Sequence, residues 1–419
     1  MQYHIQLPDN KSLRIREMLW SWVRRGEVLP ISPADCRDIV IMHRALTAIS
    51  ASVATMYTET MCTSSLQLVE TSVFPVTIDV EDCGAAYRFL MPVLAATSGT
   101  WLLTGTPRLL QRPILPLVEV LRGIGADIER VEEGWLIHGN VETMCTSSLQ
   151  IDATQSSQMA SALVLAAPLL GLRTLHLATP DIPSLSYLRM TLACTRDWPV
   201  TIPGVDVPET PIGEPGDWSA ALFWFAYARL HPEHTFSLSP LSLESIQGDS
   251  VICQWFKMLN MVISTNNSNV EISAKPLETM PRLVLDVRDN LDTVPVMAAL
   301  AALLPADITF QNVRNLKYKE SDRLHALATQ LQPYADVEIS DNEFHVVGNG
   351  QPIVTGAGFD TCHDHRMAMA FLLFPNAKLN DTDCLAKSYP GLLPSFIKRR
   401  FPPETQQRDF SEETEQRQH

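Results

Sequence analysis

The segment Lys317-Tyr-Lys-Glu-Ser-Asp-Arg323 sets a carboxylate, Glu320, between two cations, Lys319 and Arg323. Spacings of three and four residues would put all three on one helical face. A carboxylate held this way can pass a proton while the cations grip an anionic substrate. The same spacing also fits a solvated i,i+4 charge lattice. Further cations stand beside polar turns that open apolar runs: Lys11, Arg16, Arg88, Arg108, Arg366 and Lys387. A helix start carries about half a positive charge and free N–H groups, so it receives phosphate or carboxylate. The turn Ser156-Ser-Gln158 reads either as such a receptor or as a plain helix cap.

These side chains need elements to position them, and the chain repeats one device. A short polar turn followed by a helix-like apolar run begins near Asn10, Asp82, Ser156, Asp217, Asp292 and Asp364, at intervals of 72, 74, 61, 75 and 72 residues. Regular spacing of similar units marks an internal repeat. Short β-rich runs lie between the starts, such as 75–80, 174–177, 283–286 and 344–347. Each unit therefore reads as mixed α/β, and six units suit two domains of three. The Pro/Gly-rich stretch 203–216 separates units three and four and reads as a hinge. Residues 402–419 are polar without apolar period and read as a flexible tail.

A second repeat does not follow this period. Glu-Thr-Met-Cys-Thr-Ser-Ser-Leu-Gln occurs at 59–67 and again at 142–150, at different offsets from the neighbouring helix starts. No physical account of it follows from the sequence, and a duplicated surface loop is one reading of it.

Composition limits the classes of function. The chain has 419 residues, 46% of them apolar, enough for sizeable cores. Its formal net charge is −15, against the basic face of a general nucleic-acid binder. A local cationic pocket can still exist in an acidic protein. No run approaches the roughly 20 apolar residues of a membrane span. The start lacks the pattern of an export signal, so a cytoplasmic protein is expected. Eight scattered cysteines with no Cys-x-x-Cys pair point to reduced thiols and no zinc site.

Lys319-Glu-Ser-Asp-Arg323 closely resembles a signature of the EPSP (5-enolpyruvylshikimate 3-phosphate) synthase family, and Asp364-His-Arg-Met-Ala-Met369 resembles its second. Lys11-Ser12-x-x-x-Arg16, Gly105-x-Pro-Arg108-x-x-x-Arg112-Pro-Ile114 and Ser156-Ser-Gln158 match further motifs. So do Ser184-x-x-Tyr187, Gln247-Gly-Asp249, Asp292-x-x-Pro295 and Ala386-Lys387-Ser-Tyr-Pro390. The nine stand in family order from residue 11 to about 390.

The resemblance implies an α/β (α+β) fold, an inside-out α/β barrel of the enolpyruvyl transferase type. Two domains of three βαβαββ units close like jaws: 11–214, and 1–10 with 215–401. It implies transfer of the enolpyruvyl group of phosphoenolpyruvate to the 5-hydroxyl of shikimate 3-phosphate, on the shikimate pathway to aromatic amino acids. No metal or organic cofactor is implied, and the protein is expected to be a monomer.

By the same resemblance Ser156, Ser157 and Ser184 hold the phosphate of shikimate 3-phosphate, and Ser12 and Arg16 its carboxylate. Asp292, Asn315, Lys319 and Lys11 address its ring side. Phosphoenolpyruvate falls to Lys11, Gly84, Arg108, Gln158, Arg323, Arg366 and Lys387. Glu320 is the candidate for the C3 proton, and Lys11 and Asp292 for the hydroxyl proton. His365 is expected to orient its neighbours.

The chain departs from the family at 84–89, where Ala85 replaces threonine and Phe89 replaces proline. Glyphosate occupies this pocket in the family, so altered inhibitor sensitivity with retained turnover is expected. The sister transferase acting on UDP-N-acetylglucosamine uses a cysteine near this region, and 104–113 contains none. A non-catalytic anion-binding relative would be expected to have lost its proton-transfer groups. A cyclase acting on RNA ends is opposed by the acidic charge.

Overall fold

The computed structural model describes residues 1–62, 75–140, 146–209, 216–266, 269–350 and 355–400. Two separate apolar cores organise them. One is built from residues between Ile15 and Ile202. The other combines Ile5 and Leu7 with residues from Trp218 to Phe396. The chain thus starts in the second half, crosses to the first between Leu7 and Ile15, and returns before Trp218. Of the expected hinge, residues 210–215 lie outside the described residues.

Three sheets share one topology. Val76–Asp79, Gly99–Thr104, Gly134–Gly139 and Asp127–Val131 are ordered first-second-fourth-third along the chain, with helices between the parallel pair. Arg282–Asp286, Asp307–Gln311, Glu343–Gly348 and Ala335–Ile339 repeat the pattern. The third sheet takes its first strand, Gln2–Gln6, from the chain start and pairs it with Thr235–Ser239; Asn269–Ala274 and Met261–Asn266 complete it. Each is a βαβαββ unit. Two shorter parallel pairs, Ser148–Ile151 with Thr174–Leu177 and Gly358–Phe359 with Lys378–Leu379, mark reduced units. Against the six units expected, the described residues contain three complete four-stranded sheets and two parallel pairs.

Helices line the inside and sheets the outside. Val294–Leu303 reads Val-Pro-Val-Met-Ala-Ala-Leu-Ala-Ala-Leu and is buried on nearly every face. A helix apolar all round belongs in a core. It packs on Trp218–Leu230 and His365–Phe371, while Gly84–Ala95 packs on Ser157–Leu165 in the other half. Strands such as Arg282–Asp286 alternate exposed and buried, as a sheet with one wet face must.

The six expected helix starts appear at Lys11, Gly84, Ser157, Trp218, Val294 and His365. Asn10, Ser156, Asp217 and Asp364 cap theirs through side-chain acceptors. Two expectations change. Cys83, not Asp82, caps the second helix. Asp292 sits in a 3-10 turn, Leu291–Thr293, and does not cap its helix; its carboxylate goes to Lys319 and Arg323 instead.

The repeated nonapeptide is not simply a pair of loops. The first copy begins within the helix Arg37–Cys62, and the second ends within the strand Ser148–Ile151. Residues 63–67 and 142–145 lie outside the described residues, as does the tail 402–419.

Candidate functional site

The two halves meet around a cleft of ≈ 950 Å³, its mouth included. Six cationic side chains (Lys11, Arg16, Arg88, Arg112, Lys319, Arg366) and three acidic ones (Asp38, Asp292, Glu320) line it. The cleft is thus locally positive in an acidic chain, a receptor for anions.

One wall is mostly neutral. Ser156 caps the helix Ser157–Leu165 in extended backbone, its Oγ accepting from Gln158 N at 3.3 Å. The cap reading of this turn therefore holds, and the same turn also faces the cleft. Ser157, Ser12 and Ser184 join the lining. Ser184 takes a left-handed backbone, φ 56, and donates from its N–H to the Arg288 carbonyl of the other half at 2.9 Å. Arg16 is 2% exposed and fixed on all sides. Its Nε donates to Thr191 Oγ1 at 2.7 Å and its Nη1 to the Ser12 carbonyl at 2.7 Å. Phe89 lies beneath its guanidinium, 5.1 Å from ring centroid to Cζ. Phe89 therefore backs Arg16 and does not enter the cleft, whereas Ala85 lies in the lining.

The other wall is a lattice of ion pairs. Asp38, from the helix Arg37–Cys62, bridges Lys11 Nζ and Lys387 Nζ at 2.9 Å each. Lys387 belongs to the opposite half and also reaches Asp82 Oδ1 at 3.1 Å. Burial would weaken all three charges; mutual attraction prevails, so Asp38 is held below and both lysines above their usual ranges. Glu320 accepts from Arg112 Nη1 at 3.2 Å and Arg323 Nη2 at 2.9 Å. Its burial alone would raise its pKa, but Arg112 and Arg323, then Lys387, pull it well below the ordinary range. Asp292 takes Lys319 Nζ at 2.9 Å and Arg323 Nη1 at 2.8 Å, and these cations likewise overcome its burial. Arg323, 1% exposed, completes its set on Asp364 at 2.7 Å.

The shared helical face expected for Lys319, Glu320 and Arg323 does not exist. A 3-10 turn, Arg314–Tyr318, ends before Lys319, and Asp322 caps a helix that starts at Arg323. The Glu320–Arg323 pair forms anyway, because the cap turn folds Glu320 back over the first residue of the helix.

Of the cations expected to meet phosphoenolpyruvate, Lys11 and Arg366 line the cleft beside Gly84 and Gln158. Arg323 and Lys387 lie behind its wall, through Glu320, Asp292 and Asp38. Arg108 is exposed and outside the lining; its guanidinium donates to the carbonyls of Lys317, Lys319 and Glu320. Arg112, four residues on, occupies the cleft in its place. Gly84 explains the fit: a Cβ there would lie 2.6 Å from Arg112 Nη1. The close approach that glycine permits is thus to this guanidinium. Asn315 spends its amide on the Thr154 and Gln155 carbonyls of the facing half, at 2.8 and 3.2 Å.

Arg88, which the sequence marks only as a cation beside a polar turn, donates to Gln158 Oε1 at 2.9 Å and orients that amide. His365 lines the cleft, and neither ring nitrogen has a hydrogen-bond partner. Burial, then Lys11 and Arg366, hold it neutral, well below its usual pKa. The Arg366 Nε is also buried without a hydrogen-bond acceptor, while its Nη1 reaches the Ser219 carbonyl at 3.2 Å. Among the described residues no group of three His, Cys, Asp or Glu side chains is placed to hold a metal ion. No described helix is long and apolar enough to cross a membrane.

Comparison with known proteins fits this architecture. The chain is 29% identical to a 3-phosphoshikimate 1-carboxyvinyltransferase of Bacteroides fragilis, over 95% of each chain. It is 27% identical to one of Shewanella loihica, over 94% and 95%. Its fold matches the EPSP synthase of Acinetobacter baumannii with a TM-score of 0.65 at 17% identity, over 95% of each chain. It also matches the enolpyruvyl transferase NikO of Streptomyces tendae, with a TM-score of 0.60 at 15% identity, over 94% of each. The family model for EPSP synthase (3-phosphoshikimate 1-carboxyvinyltransferase) spans residues 1–396, and the chain belongs to that family.

Proposed function

We propose that the cleft transfers the enolpyruvyl group of phosphoenolpyruvate to the 5-hydroxyl of shikimate 3-phosphate and releases phosphate. Glu320 carries this reading. It is a carboxylate clamped by Arg112 and Arg323, in one cleft with Lys11 and the Ser156–Ser157 helix start.

The neutral wall suits shikimate 3-phosphate. Ser156, Ser157 and Ser184 offer hydroxyls and a helix start to its phosphate. Ser12 and Arg16 meet its carboxylate, and Asp292, Asn315 and Lys319 its hydroxyls. Phosphoenolpyruvate takes the ion-pair wall, with Lys11, Gln158, Arg366 and the Gly84 turn, and Arg323 and Lys387 behind. Arg112 takes the place first given to Arg108. Guanidinium forks suit both anionic groups of this substrate.

In the addition step the substrate oxygen bonds to C2 as C3 gains a proton. In the elimination step C3 returns that proton as the C2–O bond to phosphate breaks. Clamped by Arg112 and Arg323, Glu320 is anionic. When phosphoenolpyruvate draws Arg112 and Arg323 to its own charges, Glu320 loses its clamps and its proton affinity rises. It can then take a proton from water, pass it to C3 and receive it back in the elimination. Asp292, a carboxylate here, can take the hydroxyl proton; Lys11, held as an ammonium by Asp38, can take it only after giving up its own. The cationic lining stabilises charge developing on the intermediate.

The two cores support a division into domains 11–214 and 1–10 with 215–401. The cleft is built from one chain, in keeping with a monomer. A cytoplasmic location is part of the same proposal. The test is phosphate release from phosphoenolpyruvate, with and without shikimate 3-phosphate. Release that requires shikimate 3-phosphate and collapses in Glu320→Gln supports the reading. Binding of shikimate 3-phosphate without release would replace it with that of an anion-binding relative.

A further inference from the structure

Arg108 sits on a short turn, Pro107–Leu110, that is anchored to its own half. Thr106 N donates to the Glu81 carbonyl at 2.7 Å, and the Thr106 side chain caps Leu109 N at 3.3 Å. Leu109 is buried, and a Cβ on Gly105 would meet Glu81 O at 2.5 Å. From this base the Arg108 side chain leaves its half entirely. Nε donates to the Glu320 carbonyl at 3.1 Å, and Nη2 donates to the carbonyls of Lys317 and Lys319 at 3.0 Å each. Lys317 lies in the 3-10 turn Arg314–Tyr318, and Lys319 and Glu320 in the link from it to Arg323–Leu331, in the half of the second core. That link carries the side chains of Lys319 and Glu320 into the cleft.

We propose that Arg108 is a positioning residue that latches the 317–320 turn across the cleft, setting Glu320 and Lys319 on the substrates only when the halves are shut. A planar guanidinium with five fixed donors matches several carbonyls at once. All three recorded bonds go to backbone, so they do not compete with substrate charge as those of Arg112 do. A latch of this kind acts on the position of Glu320, and a misplacement of about 1 Å can cost about 10²-fold in rate.

This inference rests on the proton-transfer role of Glu320, so wild type and Glu320→Gln are assayed beside Arg108→Ala and Arg108→Lys in the full chain. No turnover by wild type would overturn the functional reading itself. With wild type active, Arg108→Ala should lose about 10- to 100-fold in kcat. Its urea midpoint without substrates should stay unchanged, since the side chain is exposed. The acid limb of its kcat profile should move to higher pH, because a displaced Glu320 leaves Arg112 and Arg323. Arg108→Lys, which can reach fewer of the three carbonyls, should fall between. Arg108→Ala with wild-type kcat and acid limb would overturn the proposal. So would a loss of kcat with an unmoved acid limb and a matching loss of stability.

Discussion

The two walls of the cleft solve the same problem, holding anions, in opposite ways. The serine wall presents Ser12, Ser156, Ser157 and Ser184 with one cation, Arg16, whose recorded bonds go to a hydroxyl and to carbonyls. Among the described residues no carboxylate pairs with Arg16, and the one at this wall, Asp289, takes the Leu185 N–H beside Ser184 at 2.7 Å. On the opposite wall Lys11, Lys387, Arg112, Lys319 and Arg323 are all engaged by Asp38, Asp292 or Glu320. A ligand on that side must trade existing ion pairs for its own. The serine wall is a receptor before any substrate arrives. The ion-pair wall becomes one only as its carboxylates give way, and that exchange is what changes the proton affinity of Glu320.

Breaking the ion-pair wall at its reacting group should have the largest effect. Glu320→Gln keeps the shape and removes the titrating carboxylate. General acid–base groups contribute roughly 10²–10⁴-fold, so kcat should fall by about 10³. The Kd of shikimate 3-phosphate by calorimetry should stay near wild type, because its phosphate and carboxylate use the serine wall and its ring meets Asp292, Asn315 and Lys319, not Glu320. A shared collapse of Kd and kcat would erase the distinction between the walls. Breaking the wall behind its surface acts on stability. Asp38→Asn leaves Lys11 and Lys387 buried without their common anion. Removing one partner of a buried charge pair costs about 3–5 kcal/mol. Urea unfolding should show this loss, and Lys387→Met in the Asp38→Asn background should restore part of it. A midpoint within error of wild type would mean that water or Asp82 already compensates Lys387.

The serine wall was largely legible in the sequence and the ion-pair wall only partly so. A polar turn before an apolar run states a helix start by local chemistry, and Asn10, Ser156, Asp217 and Asp364 cap as their residue types dictate. The ion-pair wall depends on which half each side chain reaches, and spacing does not carry that. Arg108 and Arg112 are the same residue type four positions apart; only the gap left by Gly84 separates them. Asp38 was missed because its partners, Lys11 and Lys387, come from the two ends of the chain. The misread helix at 317–323 was avoidable. Asp322 followed by Arg-Leu-His-Ala-Leu is a helix-start signal, and it places Glu320 outside the helix. The inserted topology, with Gln2–Gln6 serving as first strand of a sheet more than 200 residues away in sequence, is non-local for the same reason.

On the serine wall a single change should be mild and selective. Ser156→Ala removes a ligand hydroxyl and a helix cap together, whereas Ser156→Gly keeps most of the cap's stability, since glycine at that position costs only a few tenths of a kcal/mol. Both variants should raise KM for shikimate 3-phosphate by about tenfold, the worth of one hydrogen bond to a charged group. KM for phosphoenolpyruvate should stay within about twofold, since its cations stand on the other wall. Equal rises in both KM values would show that the two walls are not independent.

The smallest effect concerns His365, whose Nδ1 lies 3.7 Å from Asp364 Oδ1 and forms an ion pair there only if protonated. It is neutral when folded, since burial and the charges of Lys11 and Arg366 hold its pKa well below the ordinary value of about 6.5. As pH falls below about 6.5 the unfolded chain binds a proton there that the folded chain refuses, so stability falls with falling pH. Asp292 and Glu320 act lower down. Their depressed pKa values add stability that is fully present above about 4.3 and is lost as pH drops towards their folded values. Asp249 opposes them: its burial raises its pKa, so acid relieves it. Comparing His365→Asn with wild type cancels these carboxylate contributions and isolates the imidazole. Between pH 6.5 and 5 the unfolding free energy of the variant should fall less steeply, by at most about 1.4 kcal/mol per pH unit, the value of one proton. Parallel curves would mean that His365 finds a partner for its proton in the folded cleft, and Asp364, 3.7 Å from its Nδ1, would be the first candidate.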